Sequence, residues 1–478
     1  MVTIYVVLTS LLLIPMAGLA IDLSVLYNVK ARLQTAVDAA VVAAGNTLQR
    51  TTDMTDPTQI ATIKATAQAF FNANYPTGFW GSHQTYYVAT TSVGANQVRS
   101  IQVRAGEIVP MLLLRVLGMQ SSTVAAEATA NVRFVTMMLV VDRSGSVMRA
   151  GNDTTVKNAL TQFVATASSS VFVDGRDVIG MGSFGTNWNL DFAPVSTFRS
   201  GTPAISTAIT NIPFGNNATN TSEGLYRAYT QLQTLANTGA LNVIVLLTDG
   251  RPSALTVTMN FGSPCSTTGN KTGAVTANVG QTWPPLPPTT QGGYQDAGSQ
   301  IWAFGLFNRT FTSLGNVMSG ADMDWVSGSN GCHYYSDSGQ AIPGVDLWKD
   351  VASFPTTDAN GNSTTGPIYQ GGGQSLSDPQ SVRYASFNAA DNVATTIRND
   401  TTIRPVLFVI GLNEPPAGGE PLDADWLARV ANDPSYTDVN GNSVFQKGQT
   451  SGKYYNVSGS GLAAAFQDIA SQILRLAQ

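Results

Sequence analysis

The chain has 478 residues, with 25 basic and 30 acidic side chains and a formal net charge of −5. That length corresponds to about two or three domains. Charged residues make up only 12% and apolar residues 43%, which excludes a largely disordered chain. No Lys/Arg-rich run is present to neutralise phosphates, which argues against sequence-independent nucleic-acid binding. Cys265, Cys332, His83 and His333 are the whole thiol and imidazole inventory, too few and too scattered for zinc hydrolase chemistry or a disulfide-dense scaffold.

The first element is Val2–Ile21, twenty residues without a charge. As a helix rising about 1.5 Å per residue it would span a hydrocarbon core of about 30 Å. No basic residue precedes it and a helical pattern continues past it, unlike a cleaved signal peptide. Leu23, Leu26, Val29, Leu33, Val37 and Val41 then recur every three or four positions, continuing the helix with one apolar face. A plain signal anchor with a stalk is the alternative. Lys30 and Arg32 follow the run and nothing basic precedes it, so the positive-inside rule alone would place the bulk in the cytoplasm. We expect a basic leader ahead of Met1 to reverse that orientation.

The apolar span, Gly18-Leu19-Ala20-Ile21-Asp22, Leu33-Gln34 and Ala36-Val37-Asp38-Ala39-Ala40 resemble the N-terminal segment of TadE/TadG-like proteins of the Tad (Flp) pilus assembly system. The resemblance covers about 45 residues. It implies a membrane anchor in the bacterial cell envelope, with the bulk in the periplasm or at the cell surface and other pilus subunits as candidate partners.

Residues 1–45 are thus expected to form the N-terminal helix and 46–134 a small α+β module. In the module, Tyr86–Thr91 and Val98–Val103 read as a hairpin around Gly94-Ala95-Asn96. MLLLRVLGMQ after Val109-Pro110 reads as a short amphipathic helix ended by Gly118. Ser121–Phe134 is extended and leads into the last domain, 135–478.

Met137–Val141 is a fully apolar run expected of a central strand. Val178–Phe184, Val243–Thr248 and Val406–Ile410 repeat the pattern with helical stretches between. Such alternation predicts an α/β fold with a doubly wound, mostly parallel, Rossmann-like sheet, whose sites lie at the carboxyl ends of the strands. Asp142, Ser144 and Ser146 follow the first strand, Asp249 follows the third, and Thr219 and Thr221 precede the helix Glu223–Leu235. Two carboxylates and several hydroxyls suit Mg²⁺ or Mn²⁺ in an octahedral shell, with a position left for water or a partner's oxygen.

D-x-S-x-S, then a Thr, then an Asp, resembles the metal-ion-dependent adhesion site of the von Willebrand factor type A domain. The likeness covers about residues 135–254 and 386–478. It implies one ion, with Ser144, Ser146 and Thr219 as direct ligands and Asp142 and Asp249 acting mostly through water. Thr221 competes with Thr219 for the same role. The domain is expected to close with Val406–Leu412, a helix from Asp425, a strand at 452–457, and a last helix striped by Leu462, Phe466, Ile469, Ile473 and Leu476.

An insertion at about 255–385, rich in Gly, Thr, Ser and Asn, interrupts the domain beside the site. Its length argues for some order, and Cys265 with Cys332 suggests one disulfide in an oxidising compartment. Trp283–Pro288 reads as a polyproline-like spacer. Gly180-Met-Gly182-Ser-Phe-Gly185 matches a dinucleotide fingerprint but lies in a strand. Asp358–Asn362 and Asp438–Asn442 read as turns rather than calcium loops. With no nucleophile–base pair in view, the expected function is binding rather than catalysis. The first reading is an adhesin that takes a partner carboxylate on the cation; the alternative is a non-adhesive Tad assembly or structural subunit with a structural metal site.

Overall fold

The periodic apolar positions after residue 23 find their partner in the fold. Val29, Leu33, Val37, Val41 and Ala44 are buried along one face of α1 (Val2–Arg50). The computed structural model describes residues 2–94, 98–166, 172–215, 218–249, 251–261, 269–278, 302–307, 379–415, 422–438, 441 and 443–477. They divide into two compact units, Met1–Phe134 with the last two residues, and Val135–Leu476.

In the first unit α2 (Pro57–Asn74) starts at Asp56, whose carboxylate accepts the Thr58 N–H at 2.8 Å, with Pro57 at the first helical position where no donor is missed. Its Ile63, Ala67 and Phe71 join the buried face of α1 over an antiparallel sheet of β1 (His83–Val93), β2 (Arg99–Pro110) and β3 (Ser121–Val132). The inner face of β2 contributes Ile101, Val103 and Ala105. The amphipathic helix expected over MLLLRVLGMQ is instead a single 3-10 turn, Leu114–Leu117. The Asp22 carboxylate captures the N–H groups of Leu112, Leu113 and Leu114, and Gly118 at φ 91° closes the turn. Among the described residues no helix is long and apolar enough to cross a membrane. Most of the transmembrane span expected over Val2–Ile21 lies outside the residues whose side chains are described, and from Val25 onward the apolar face of α1 serves the core of this unit.

In the second unit every residue of β4 (Val135–Asp142) is buried. Next come α3 (Gly145–Arg149), α4 (Asp153–Leu160), β5 (Val178–Phe184), β6 (Trp188–Val195), α5 (Ile205–Thr210), α6 (Thr221–Leu235) and β7 (Leu241–Thr248). After β8 (Ala254–Phe261), β9 (Gly269–Asn278) and β10 (Trp302–Phe307), the chain continues through α7 (Pro379–Arg398), β11 (Val406–Leu412), α8 (Ala424–Ala431), β12 (Lys453–Val457) and α9 (Leu462–Ala477). The main sheet has the order β12-β11-β7-β4-β5-β6 and is parallel except for the edge strand β6. β7 and β11 are buried throughout, like β4, as central strands covered on both faces must be. Met138, Val140, Leu246 and Val409 pack with α6, α7 and α8, while Met137, Leu139 and Val141 are buried on the opposite face.

The helical stripe of α9 is buried at Leu462, Phe466, Ile469 and Ile473, but Leu476, expected to share it, is exposed. Gly182 lies inside β5, where a Cβ would sit 2.0 Å from the Trp188 ring; the glycine permits strand packing and belongs to no phosphate loop. The Gly441 N–H bonds Asp438 O at 2.9 Å and Thr437 pairs with Ser443, while residues 439, 440 and 442 lie outside the described residues. Within the insertion β8, β9 and β10 form an antiparallel sheet of their own. Cys265, Cys332, His333, Trp283–Pro288 and Asp358–Asn362 lie outside the described residues.

Candidate metal centre

β4 and β7 are neighbours at the middle of the sheet, in register with Val141 beside Leu247. From β4 the strand order runs one way to β5 and the other way to β7, so the loops leaving these two strands part and leave a crevice. Asp142 ends β4 and Asp249 follows β7 directly, so the parallel pairing alone brings both carboxylates to that crevice.

Hydrogen bonds link four of the expected residues in one chain. The Asp142 carboxylate accepts the Ser144 N–H at 2.8 Å and the Thr248 hydroxyl at 2.6 Å. The Ser144 and Ser146 hydroxyls are 2.9 Å apart, and Ser146 donates to Asp249 Oδ1 at 2.7 Å. Asp142, Ser144 and Asp249 are 1%, 1% and 3% exposed. Burial pushes the Asp142 carboxyl above its usual range, against the hydrogen bonds of Ser144 and Thr248. Asp249 is pushed up well above its usual range, first by burial and then by the charge of Asp142.

The fifth expected residue comes from the loop before α6. Thr219 is buried and its backbone is held on both sides: its N–H donates to Ser253 Oγ at 3.0 Å, and its carbonyl accepts Ser253 N at 2.9 Å. Among the described residues no hydrogen bond joins Thr219 to the Asp142–Asp249 chain. Thr221 opens α6, and its hydroxyl is buried without a partner among the described residues. Sequence reasoning did not find Asn220, which caps α6 through the Glu223 N–H at 3.3 Å and donates to Thr256 at 2.9 Å. An Asn before a helix is an ordinary capping signal, but its second partner, on β8, is visible only in three dimensions. Thr248 was also missed, because a threonine at the end of an apolar strand reads as strand.

The donor set fits a hard divalent cation. Asp249 Oδ2 is buried with no hydrogen-bond partner among the described residues, an arrangement that is costly unless something positive meets it. Among the described residues no three His, Cys, Asp or Glu gather as a metal-holding group, so hydroxyls and water would have to complete the shell. Asp142, Ser144, Ser146, Asp249 and one of Thr219 or Thr221 would hold the ion. Bound there, Mg²⁺ or Mn²⁺ would neutralise the paired carboxylates and offer an electrophilic position to an oxygen ligand.

Residues 137–251 match the family profile of the von Willebrand factor type A domain, and residues 1–47 that of the Flp pilus-assembly TadE/G-like segment. The chain joins a TadE/G-like segment to a von Willebrand factor type A domain. All six candidate ligands, with Thr221 included, fall inside the matched part of the type A domain. No curated protein matches the sequence. Solved structures similar to it include the PilB minor pilin from Streptococcus sanguinis, at 15% identity over 83% of this chain and 79% of that one, with a TM-score of 0.35. The vWF domain of the type V pili tip protein Mfa5 from Porphyromonas gingivalis is 14% identical over 73% of this chain and 98% of that one, with a TM-score of 0.37. The pilus adhesin SpaC from Lactobacillus rhamnosus GG is 15% identical over 83% of this chain and 35% of that one, with a TM-score of 0.34.

Proposed function

We propose that this chain is an extracytoplasmic binding protein of the Tad (Flp) pilus system, held at the cell envelope by its N-terminal segment. Its type A domain recognises a carboxylate of a protein or surface partner through one Mg²⁺ or Mn²⁺. The ion is held by Asp142, Ser144, Ser146, Asp249 and Thr219, with Thr221 as the alternative to Thr219. The observation that carries this reading is the buried, unpartnered Asp249 Oδ2 at one end of the hydrogen-bonded chain that begins at Asp142. Two buried carboxylates with raised proton affinity call for a cation, and neutral hydroxyls around it leave residual positive charge for an incoming carboxylate. The protein acts by binding, with the insertion as a rim that widens the contact, because β8 departs from the sheet five residues after Asp249.

The test is binding of the full chain to immobilised acidic protein and to cell surfaces, with and without EDTA, wild type against Ser144→Ala. The proposal expects binding to vanish with chelator or substitution and to return when Mg²⁺ or Mn²⁺ is added to the wild type. Binding indifferent to both would replace the adhesin by a structural subunit of the Tad apparatus.

A further inference from the structure

We infer that the apolar end of the first unit is a lipid-contacting surface, in which Leu112, Leu113, Val116 and Met119 lie beside Met16 and Leu19 of α1 in the interfacial layer of an anionic membrane. The loop 111–120 is built inversely to an ordinary surface turn. Most of its backbone donors are taken up internally: the Asp22 carboxylate accepts Leu112 N at 2.8 Å, Leu113 N at 3.1 Å and Leu114 N at 2.7 Å. Met111 N, Gly118 N and Met119 N bond the carbonyls of Gln120, Arg115 and Leu114. Leu112, Leu113, Val116 and Met119, by contrast, are turned outward, with Val116 82% and Met119 54% exposed. Satisfied backbone under exposed apolar side chains is what a low-dielectric surrounding demands and what water disfavours.

The loop is seated against α1 where the uncharged run Val2–Ile21 ends. Asp22 is the residue that holds it, and one turn earlier a Cβ on Gly18 would sit 3.0 Å from Leu113 Cβ. Over the two turns around it Met16, Leu19, Ile21 and Leu23 are all exposed. At about 100° per residue they fan around more than half of the helix circumference. A single partner helix would cover one stripe; a fluid apolar phase covers the whole fan. Charge agrees with this occupant. In residues 16–26 and 111–120 the ionisable side chains are Asp22, which is buried under the loop, and Arg115, which is exposed. A lone cation at the edge of an apolar patch suits a phosphate headgroup. This contact rests on the proposed attachment of the N-terminal segment to the envelope and adds the loop 111–120 to it; it stands apart from the cation-binding reading of the type A domain.

The test uses the full chain with vesicles of phosphatidylcholine and phosphatidylglycerol. In Val116→Trp the added indole should shift to the blue on vesicle addition, and brominated acyl chains should quench more emission than in the parent. Changing Leu112, Leu113, Val116 and Met119 together to Ser should lower vesicle partitioning by about tenfold or more. Neither change should alter Mg²⁺ affinity. The inference falls if the new tryptophan stays open to iodide and indifferent to brominated lipid, or if the fourfold variant partitions like the parent. It falls equally if the indole is already shielded without vesicles in a self-associated species, since a second copy would then cover the patch. Should the fourfold variant not fold, the substitution at the highly exposed position 116 still decides.

Discussion

At the scale of single residues the candidate centre is a problem of two buried anions. The carboxyls of Asp142 and Asp249 are both pushed above their usual range in the folded, metal-free domain, through burial and, for Asp249, the neighbouring charge. A carboxyl whose folded pKa is raised stabilises the fold most below its unfolded value. That stability is lost as pH rises from about 4 through the raised value. A bound cation removes the repulsion, so thermal unfolding with Mg²⁺ and with EDTA should diverge as pH is raised from about 5 to about 8. A gap that narrows with rising pH would contradict the site. Asp249→Asn keeps the shape but removes charge, and calorimetry should show cation affinity falling by at least about tenfold, roughly 1.4 kcal/mol. The two threonines separate in the same assay: Thr219→Val should weaken cation binding while Thr221→Val leaves it intact, and the reverse result would transfer the ligand role to Thr221. D-x-S-x-S was legible because its residues are adjacent in sequence. The choice of threonine was not, because both hydroxyls flank one helix start and only packing distinguishes them.

At the scale of elements, the loop that carries Thr219 is clasped by the strand that opens the insertion. Ser253 brackets the Thr219 backbone, and Thr256 on β8 receives Asn220 at 2.9 Å and donates to Glu223 at 3.1 Å. Burial pushes Glu223 up to about 7, against the pull of Arg227 and Thr256. Asn220→Ala removes a helix cap and a strand contact together. It should cost about 1–2 kcal/mol in urea unfolding, with a larger loss of cation affinity than an equally destabilising change elsewhere. Trp426, buried and edge-on to Phe387 at 5.0 Å, anchors the other half of the sheet. Its indole nitrogen has no partner among the described residues. Trp426→Phe should therefore cost little beyond lost volume, whereas Trp426→Ala should cost about 3–5 kcal/mol by the same measurement. Central strands were readable from their continuous apolar runs, and α6 and α9 from their spacing. The helix expected at 111–120 was misread because the apolar spacing that suggests a helix cannot reveal that Asp22, some ninety residues earlier, takes the turn's first donors.

At the scale of the whole molecule, cation site and insertion should be separable. Excising residues 258–377 leaves Ser253, Thr256 and the start of α7 in place. It should change which surface is bound, as measured in the adhesion assay, while calorimetry returns the parental cation affinity. If cation affinity is lost as well, the insertion is part of the site rather than its rim. The amino-acid sequence by itself determined the α/β class, the strands that carry Asp142 and Asp249, and the amphipathic character of α1, since these depend on local apolar periodicity and on residues a few positions apart. Only the tertiary structure decided that β6 runs antiparallel at the sheet edge, that α1 spends its apolar face on a small sheet, and that β8 braces the Thr219 loop. Those outcomes turn on which distant surfaces meet, and hydrogen-bond partners separated by tens of residues leave no periodic trace in the chain.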